Sequence, residues 1–336
     1  MIAREVILKS RPAGDPKPSD FEIKETQLPE LADGDILVRN EWMSVDPYMR
    51  LYMSEYSGAH MPLPPGSTLH GGACGVVEQS SSPDIAVGDQ VVSQVNGWRD
   101  YYVSPASAVE KVALADVPLQ WHLGVLGRSG MTAYSGVNIL DVSPGELVYV
   151  SAAGGSVGML AIQLIKRKGG IVIGSAGSEE KRQFLESSLG LDHFINYRTS
   201  NLSERLSEIA PDGLDKYFDN VGGDHLEAAI DNMKKFGKIA LCGAIALYNE
   251  PNYRIGPKNF FGVIEKGLTL RGFTASQNAP RKPEFLGDLV NMLRADEIVW
   301  EETVFDGLER SVEALLAVLN GDTTGKALVR IANATA

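Results

Sequence analysis

The residues best placed to do chemistry sit in a glycine turn, Ala153-Gly154-Gly155-Ser156-Val157-Gly158. An apolar run, Leu147 to Ala152, leads into it and reads as a buried parallel strand. Val157, Leu160, Ala161, Leu164 and Ile165 follow at helical spacing, so strand, turn and helix form one unit. Small residues there let the backbone approach a pyrophosphate. The helix N-terminus adds unpaired N–H donors and the positive end of its dipole. The pattern is A-x-G-x-x-G, with Ala153 where a first glycine usually stands. In that context a dinucleotide site is favoured over a turn that only packs helix on strand.

A second discriminator follows the next strand, Ile171 to Ile173. An NAD site ordinarily closes that strand with an acid that holds the ribose 2′-hydroxyl. Here the run is Gly174-Ser175-Ala176-Gly177-Ser178, with no carboxylate before Glu179. The missing acid removes repulsion against a 2′-phosphate, Ser178 offers a hydrogen bond, and Lys181 offers charge. NADP(H) is therefore preferred to NAD(H). The plainer reading of Lys181 and Arg182 is a pair of solvated helix residues.

The chemistry needs a scaffold, and 336 residues are enough for two domains. Lys plus Arg number 31 against 43 Asp plus Glu, a net charge of −12. That balance argues against nucleic acid or an anionic membrane as partner. Cys74 and Cys242 are the two cysteines, too few for a disulfide framework or a four-cysteine zinc site. With five histidines scattered along the chain, no ligand set of useful spacing exists, and no metal is expected. No run has the length of a signal peptide core or a membrane span, so a cytoplasmic enzyme is expected.

Residues 1–117 read as β-rich, with strands near Ile36–Asn40, Val76–Glu78, Val87–Val92 and Trp98–Val103. From 118 helix and strand alternate. Helical signal covers Gly124–Ile139, strands fall at Leu147, Ile171, Phe194, Tyr217, Ile239 and Leu268, and a helix is expected over Asp224–Phe236. Six such strands imply a doubly wound parallel sheet. After 300, Phe305, Leu308, Val312, Leu315 and Leu316 recur at helical spacing before a last strand, Ala327–Ile331. This tail is expected to rejoin the N-terminal part. The expected domains are thus 1–117 with 300–336, and 118–299.

Several strings recur in a fixed order: Val45-Asp46-Pro47-Tyr48-Met49-Arg50, Gly130-Met131-Thr132-Ala133-Tyr134, the glycine turn, Tyr217-Phe218-Asp219-Asn220-Val221-Gly222-Gly223, Cys242-Gly243-Ala244-Ile245, Tyr248-Asn249 and Gly325-Lys326. Over essentially the whole chain they resemble the zinc-independent medium-chain dehydrogenase/reductase superfamily. Within it the likeness is to the branch of prostaglandin reductases (leukotriene B4 dehydrogenases), plant double-bond reductases and bacterial curcumin reductases. The resemblance implies an α/β protein with a Rossmann NADP(H)-binding domain and a GroES-like β-rich substrate domain. It also implies a homodimer and NADPH-dependent reduction of the C=C bond of enones and enals. Where zinc-dependent relatives hold metal, this chain has Ser44-Val45-Asp46 and His70-Gly71-Gly72. Without a Lewis acid, hydride addition to the β-carbon of a conjugated carbonyl is the easier reaction, since hydrogen-bond donors can hold the enolate.

By the same resemblance, Tyr248, just past the fifth strand, helps hold the enolate or deliver the proton, and Tyr48 lines the substrate mouth. A random tyrosine is more often a half-buried packing residue. Asn220, Cys242, Gly243, Ala244 and Ile245 are placed at the cofactor, Tyr197 near the adenosine phosphate, and Phe273 and Ala275 at the nicotinamide, although strand-end packing explains the last two equally well. Cys242, with no accompanying histidine, reads as a small core residue and not a nucleophile. The family commonly has an asparagine just before the last Gly-Lys, where this chain has Thr323, so a nicotinamide contact is altered. The loop Met53–Pro65 matches no family string. A quinone reductase is the alternative enzyme; a cofactor-binding protein without catalysis is the alternative from another class.

Overall fold

The computed structural model describes residues 1–55, 61–114, 116–250 and 256–331. The chain divides into two compact units, Met1–Gly127 with Glu302–Ala336, and Arg128–Glu301.

The first unit is mostly sheet. A hairpin pairs β1 (Ile2–Leu8) with β2 (Phe21–Gln27). The larger sheet contains β3 (Asp35–Ser44), β4 (Ala73–Ser80), β5 (Gln90–Ser93), β6 (Tyr101–Pro105), β7 (Glu110–Lys111), β14 (Glu302–Asp306) and β15 (Lys326–Arg330). Its order is β14-β15-β3-β4-β5-β7, with β6 also on β3. β15 runs antiparallel to β3 with Leu328 opposite Ser44, so the last strand is paired into the N-terminal sheet. A helix, α8 (Ser311–Asn320), buries Ala314 and Leu315 in a core with Met43, Val45, Met49, Met53 and Val329.

Three local expectations are corrected in this unit. Trp98 is not in a strand: it takes a left-handed φ of 63° and is fully buried, and β6 starts at Tyr101. The strand expected from Val87 begins only at Gln90, after the left-handed Gly88. Phe305 lies in β14 instead of the late helix, because Gly307, with φ 98°, turns the chain before Leu308.

The second unit opens with α1 (Arg128–Leu140), shorter than the expected Gly124–Ile139 at its start: a Cβ on Gly127 would lie 2.2 Å from the His122 carbonyl oxygen, a close approach outside helical geometry. Then β8 (Leu147–Val150), α2 (Ser156–Arg167), β9 (Ile171–Ala176), α3 (Glu179–Leu189), β10 (His193–Asn196), α4 (Leu202–Ile209), β11 (Leu214–Asp219), α5 (Gly223–Asn232), β12 (Met233–Leu241), α6 (Phe261–Glu265), β13 (Thr269–Gly272) and α7 (Lys282–Arg294) alternate. The six strands are parallel in the order β10-β9-β8-β11-β12-β13. The chain leaves the centre at β8, winds outward, and returns beside it at β11. That reversal is where such sheets bind ligands. The helix expected to reach Phe236 stops at Asn232. Met233 and Ile239 are buried as sheet residues, and Phe236 is left-handed and exposed at a register shift between β11 and β12.

Candidate active site

The glycine turn leaves β8 through Ala152, whose φ is 47°. The Ala153 N–H donates to the Ser175 carbonyl at 2.9 Å, and its side chain is fully buried. A Cβ on Gly158 would lie 2.3 Å from the Ala152 oxygen, so only glycine lets α2 pack this close to the turn. No side chain caps α2 at Gly155, and the first N–H groups of a helix have no partner within it. Val157 is half-buried, and Ser156 Oγ donates to Ser129 Oγ at 3.2 Å. The cradle suits a pyrophosphate.

At the end of β9, Ser178 caps α3, its Oγ accepting from the Lys181 N–H at 3.3 Å. Lys181 is not a solvated helix residue. It is buried, and a Cβ on Gly154 would sit 3.1 Å from its Cδ, so its stem lies along the glycine turn. Arg182, by contrast, is exposed and bonds Glu186 and Glu179. A Cβ on Gly177 would lie 3.0 Å from the Tyr197 hydroxyl and 2.8 Å from Arg198 Nε. Arg198 therefore joins Ser178, Lys181 and Tyr197 around one loop. Arg198 follows Tyr197 directly in the string Asn196-Tyr197-Arg198, so its basic charge beside an expected phosphate contact is the signal that points to it.

Beneath the switch point lies a buried polar network that sequence reasoning missed. Asp219 Oδ1 accepts from Tyr217 OH at 2.7 Å, from the Val221 N–H at 2.9 Å and from the Gly222 N–H at 2.8 Å. Ser151 Oγ accepts from the Asn220 N–H at 2.9 Å, and Asn220 Nδ2 donates to the Ser151 carbonyl at 2.7 Å. The Asn220 amide nitrogen is thus turned inward, onto β8. Burial lifts the Asp219 carboxyl above the usual range, opposed by the backbone donors of Gly222 and Val221 and by Tyr217. Tyr149 stacks on Tyr217 at 4.7 Å and bonds Ser175 Oγ at 2.8 Å and His225 Nδ1 at 2.7 Å. His225 in turn meets the edge of Tyr197 at 5.2 Å.

Burial lowers His225 to about 4, against a small upward pull from Asp224. The folded state thus holds the imidazole neutral where the unfolded chain would protonate it. The stability this contributes is complete above pH 6.5 and is lost as pH falls toward 4. The loss should approach about 3 kcal/mol. Urea unfolding at stepped pH should show it, and His225→Gln, which keeps a polar partner for Tyr149 but does not titrate, should flatten that stretch of the profile. An unchanged slope in the variant would remove His225 as the cause.

At the end of β12 the Cys242 and Gly243 N–H groups both donate to the Asp219 carbonyl, at 2.8 and 3.1 Å. Burial pushes the Cys242 thiol up to about 12, which favours the thiol over the thiolate at neutral pH. Ala244 packs against Gly222, and Ile245–Leu247 forms a short 3-10 turn ending at Tyr248. A Cβ on Gly243 would lie 3.0 Å from the Asn220 oxygen and 3.6 Å from the Tyr248 hydroxyl. The Tyr248 ring therefore folds back over the strand end. Phe273 is buried, edge-on to Phe218 at 6.2 Å and close against Gly136; Ala275 is half-buried at the head of a 3-10 turn.

In the first unit Tyr48 is half-buried on the 3-10 segment Pro47–Met53, its ring edge-on to Tyr52 at 6.0 Å. Thr323 is buried just before β15. Of the loop Met53–Pro65, residues 56–60 lie outside the described residues.

Residues 4–112 match the family described as the N-terminal domain of oxidoreductase, and residues 156–291 that described as zinc-binding dehydrogenase. A 2-alkenal reductase (NADP(+)-dependent) of Nicotiana tabacum is 38% identical over 98% of this chain and 97% of its own length. Prostaglandin reductase 1 of Bos taurus is also 38% identical, over 98% and 99%. The chain belongs to the medium-chain dehydrogenase/reductase superfamily, in the alkenal and prostaglandin reductase branch. Among solved structures, CurA of Vibrio vulnificus in complex with NADPH superposes on this reductase with a TM-score of 0.93, at 32% identity over 98% of this chain and 99% of that one. The second unit is the Rossmann domain and the first the GroES-like β-rich domain of this superfamily. The zinc in the family description finds no donor set in this reductase: among the described residues no three His, Cys, Asp or Glu come together to hold an ion. Nor is any helix among them long and apolar enough to cross a membrane.

Proposed function

We infer that this reductase transfers a hydride from NADPH to the β-carbon of α,β-unsaturated ketones and aldehydes. The observation that carries the cofactor assignment is the end of β9, where Lys181, Tyr197 and Arg198 gather around a loop with no acid before Glu179. Full-length likeness to 2-alkenal and prostaglandin reductases supports the reaction class. NADPH, when bound, supplies the hydride. Gly154, Gly155 and Gly158 would receive the pyrophosphate, and Ser178, Lys181, Tyr197 and Arg198 the 2′-phosphate. Asn220, Cys242, Gly243, Ala244, Ile245, Phe273, Ala275 and Thr323 are assigned to the nicotinamide side.

Tyr248 would donate its O–H to the substrate oxygen as the enolate forms. A phenol near pKa 10 is protonated at neutral pH, so it donates a hydrogen bond readily and a proton reluctantly. Tyr48 is assigned to the substrate. A homodimer is the proposed assembly: among the described residues β13 pairs on one side only, with β12, and Phe260, Phe261 and Ile264, which precede it in the chain, are exposed. The cytoplasm is the proposed compartment, in keeping with two unpaired cysteines.

The test is NADPH and NADH oxidation against a short enone, a long-chain enal and a quinone. Enone turnover with NADPH strongly preferred is expected; turnover of quinone alone would overturn the reading. Lys181→Met keeps the stem against Gly154 and removes the charge. It should raise KM for NADPH by about 10- to 100-fold and leave KM for NADH nearly unchanged, the loss of one charge-assisted hydrogen bond. Tyr248→Phe should lower kcat by up to about a hundredfold, less where a ribose hydroxyl shares the oxyanion. A kcat at the wild-type level would demote Tyr248 to packing.

A further inference from the structure

Lys326 is 1% exposed, an unusual place for an ammonium. Its Nζ donates to Asp46 Oδ1 at 2.5 Å and to the Val45 carbonyl at 3.3 Å, and Ser44 Oγ donates to Asp46 Oδ2. The partners stand 280 residues apart, Lys326 opening β15 and Asp46 following β3. The Val45 N–H also donates to the Ala327 carbonyl at 3.1 Å. Asp46 is the residue from which the 3-10 segment starts, and Tyr48 is the second residue of that segment. Further along, Met49 and Met53 are anchored in the core, and Arg50 reaches the Gly14 carbonyl at 2.8 Å.

Stability alone does not call for this pair. Strand pairing already fixes Leu328 opposite Ser44, and a buried ion pair is commonly no more stabilising than an uncharged replacement of the same volume. What the pair adds is direction. It fixes the exit angle of the chain from β3, one residue before the turn that carries Tyr48.

We propose that the buried Lys326–Asp46 pair is a positioning device for Tyr48, setting where its hydroxyl meets the unsaturated substrate. The proposal rests on the reading of Tyr48 as a substrate contact. A displacement of about 1 Å at a substrate-orienting group can cost up to a hundredfold in rate, so the pair acts on turnover without touching the reacting atoms.

The full-length enzyme is assayed as Lys326→Met, Asp46→Asn, the double variant, Tyr48→Phe, and Tyr48→Phe combined with the double variant. Each is read for kcat and KM on an enone, NADPH dissociation constant and thermal midpoint. Either single change leaves a buried group without its partner and can fail to fold. The double variant removes both charges, and its midpoint should stay within about 3 °C of wild type. Its kcat/KM should nevertheless fall by about 10- to 30-fold, with NADPH affinity unchanged within about twofold. Tyr48→Phe should fall comparably, and the combination should lose little more, the non-additivity of residues acting as one unit.

Full activity in the double variant with Tyr48→Phe impaired would overturn the proposal and leave the Tyr48 reading standing. Loss in the double variant with Tyr48→Phe unaffected would overturn both. Multiplicative losses in the combined variant would show that the pair does not act through Tyr48, which overturns the proposal. Weakened NADPH binding in the double variant would show that the pair serves the cofactor, which also overturns it. Failure of the wild type on every enone would be seen first and would belong to the function, not to the pair.

Discussion

Gly158→Val is expected to weaken NADPH binding by on the order of a hundredfold or more, a change of about 3 kcal/mol. The first carbon added at this site would lie 2.3 Å from the Ala152 oxygen and 2.9 Å from the Ala153 Cα. Both are backbone atoms, and both belong to the turn that must approach the pyrophosphate. Neither can swing aside as a side chain would. The alternatives are to push α2 off β8 or to open the turn, and either costs about 1–3 kcal/mol or more in packing. The anion-binding N–H groups are displaced with it.

The neighbouring glycines make the comparison sharp. A Cβ on Gly155 would meet only the Ala152 oxygen, at 3.3 Å, and one on Gly154 would meet the flexible stem of Lys181. Gly155→Ala and Gly154→Ala should therefore lose about tenfold or less in affinity. NADPH fluorescence titration alongside thermal unfolding checks the series. Equal losses at all three positions would show that the turn tolerates no side chain for electrostatic reasons, and steric approach at Gly158 would no longer explain it.

That turn was legible in the sequence because its determinants are local. Strand, glycines and helix lie within about one βα unit, and the apolar spacing of Val157, Leu160, Ala161, Leu164 and Ile165 marks the helix unambiguously. The six parallel strands were legible for the same reason. The end of α5 was not: Met233 and Phe236 continue a helical apolar pattern, while the decision to form a strand is made by pairing with β11 and β13. Lys181 looked like any surface lysine, since its burial comes from Gly154, 27 positions away in chain order and adjacent only once β8 and β9 pair. Ser151 and Asp219 were in plain view as letters. Their role depends on β8 lying beside β11, a contact that no local spacing announces. Lys326 and Asp46 each appeared in a family string, and only the sheet brings them together.

Asp219→Ala should be the most damaging substitution in the second unit outside its glycines. The change leaves three donors, Tyr217 OH and the Val221 and Gly222 N–H groups, without the oxygen they share. Each orphaned buried donor costs about 1–3 kcal/mol; the Val221 and Gly222 N–H groups lose their partner outright, whereas the Tyr217 hydroxyl keeps Ser151 Oγ at 3.0 Å. A combined loss of about 3–5 kcal/mol is expected. Against it stands the relief of a carboxyl that burial holds above its usual range, an opposing effect that returns part of the loss. The donors prevail because two are backbone groups that cannot rotate toward water. Asp219→Asn keeps the Oδ1 acceptor in place and should lose only about 1–2 kcal/mol. The damage should also reach the cofactor. Gly222 holds a φ of 69° under the Asp219 bond, and Asn220 is fastened to Ser151 beside it. With the bond gone, the strand ends at the switch point lose their register, and NADPH affinity should fall in Asp219→Ala together with the unfolding midpoint. An alanine variant that unfolds early yet binds NADPH as tightly as wild type would separate the network from the site and leave it a scaffold for the sheet alone.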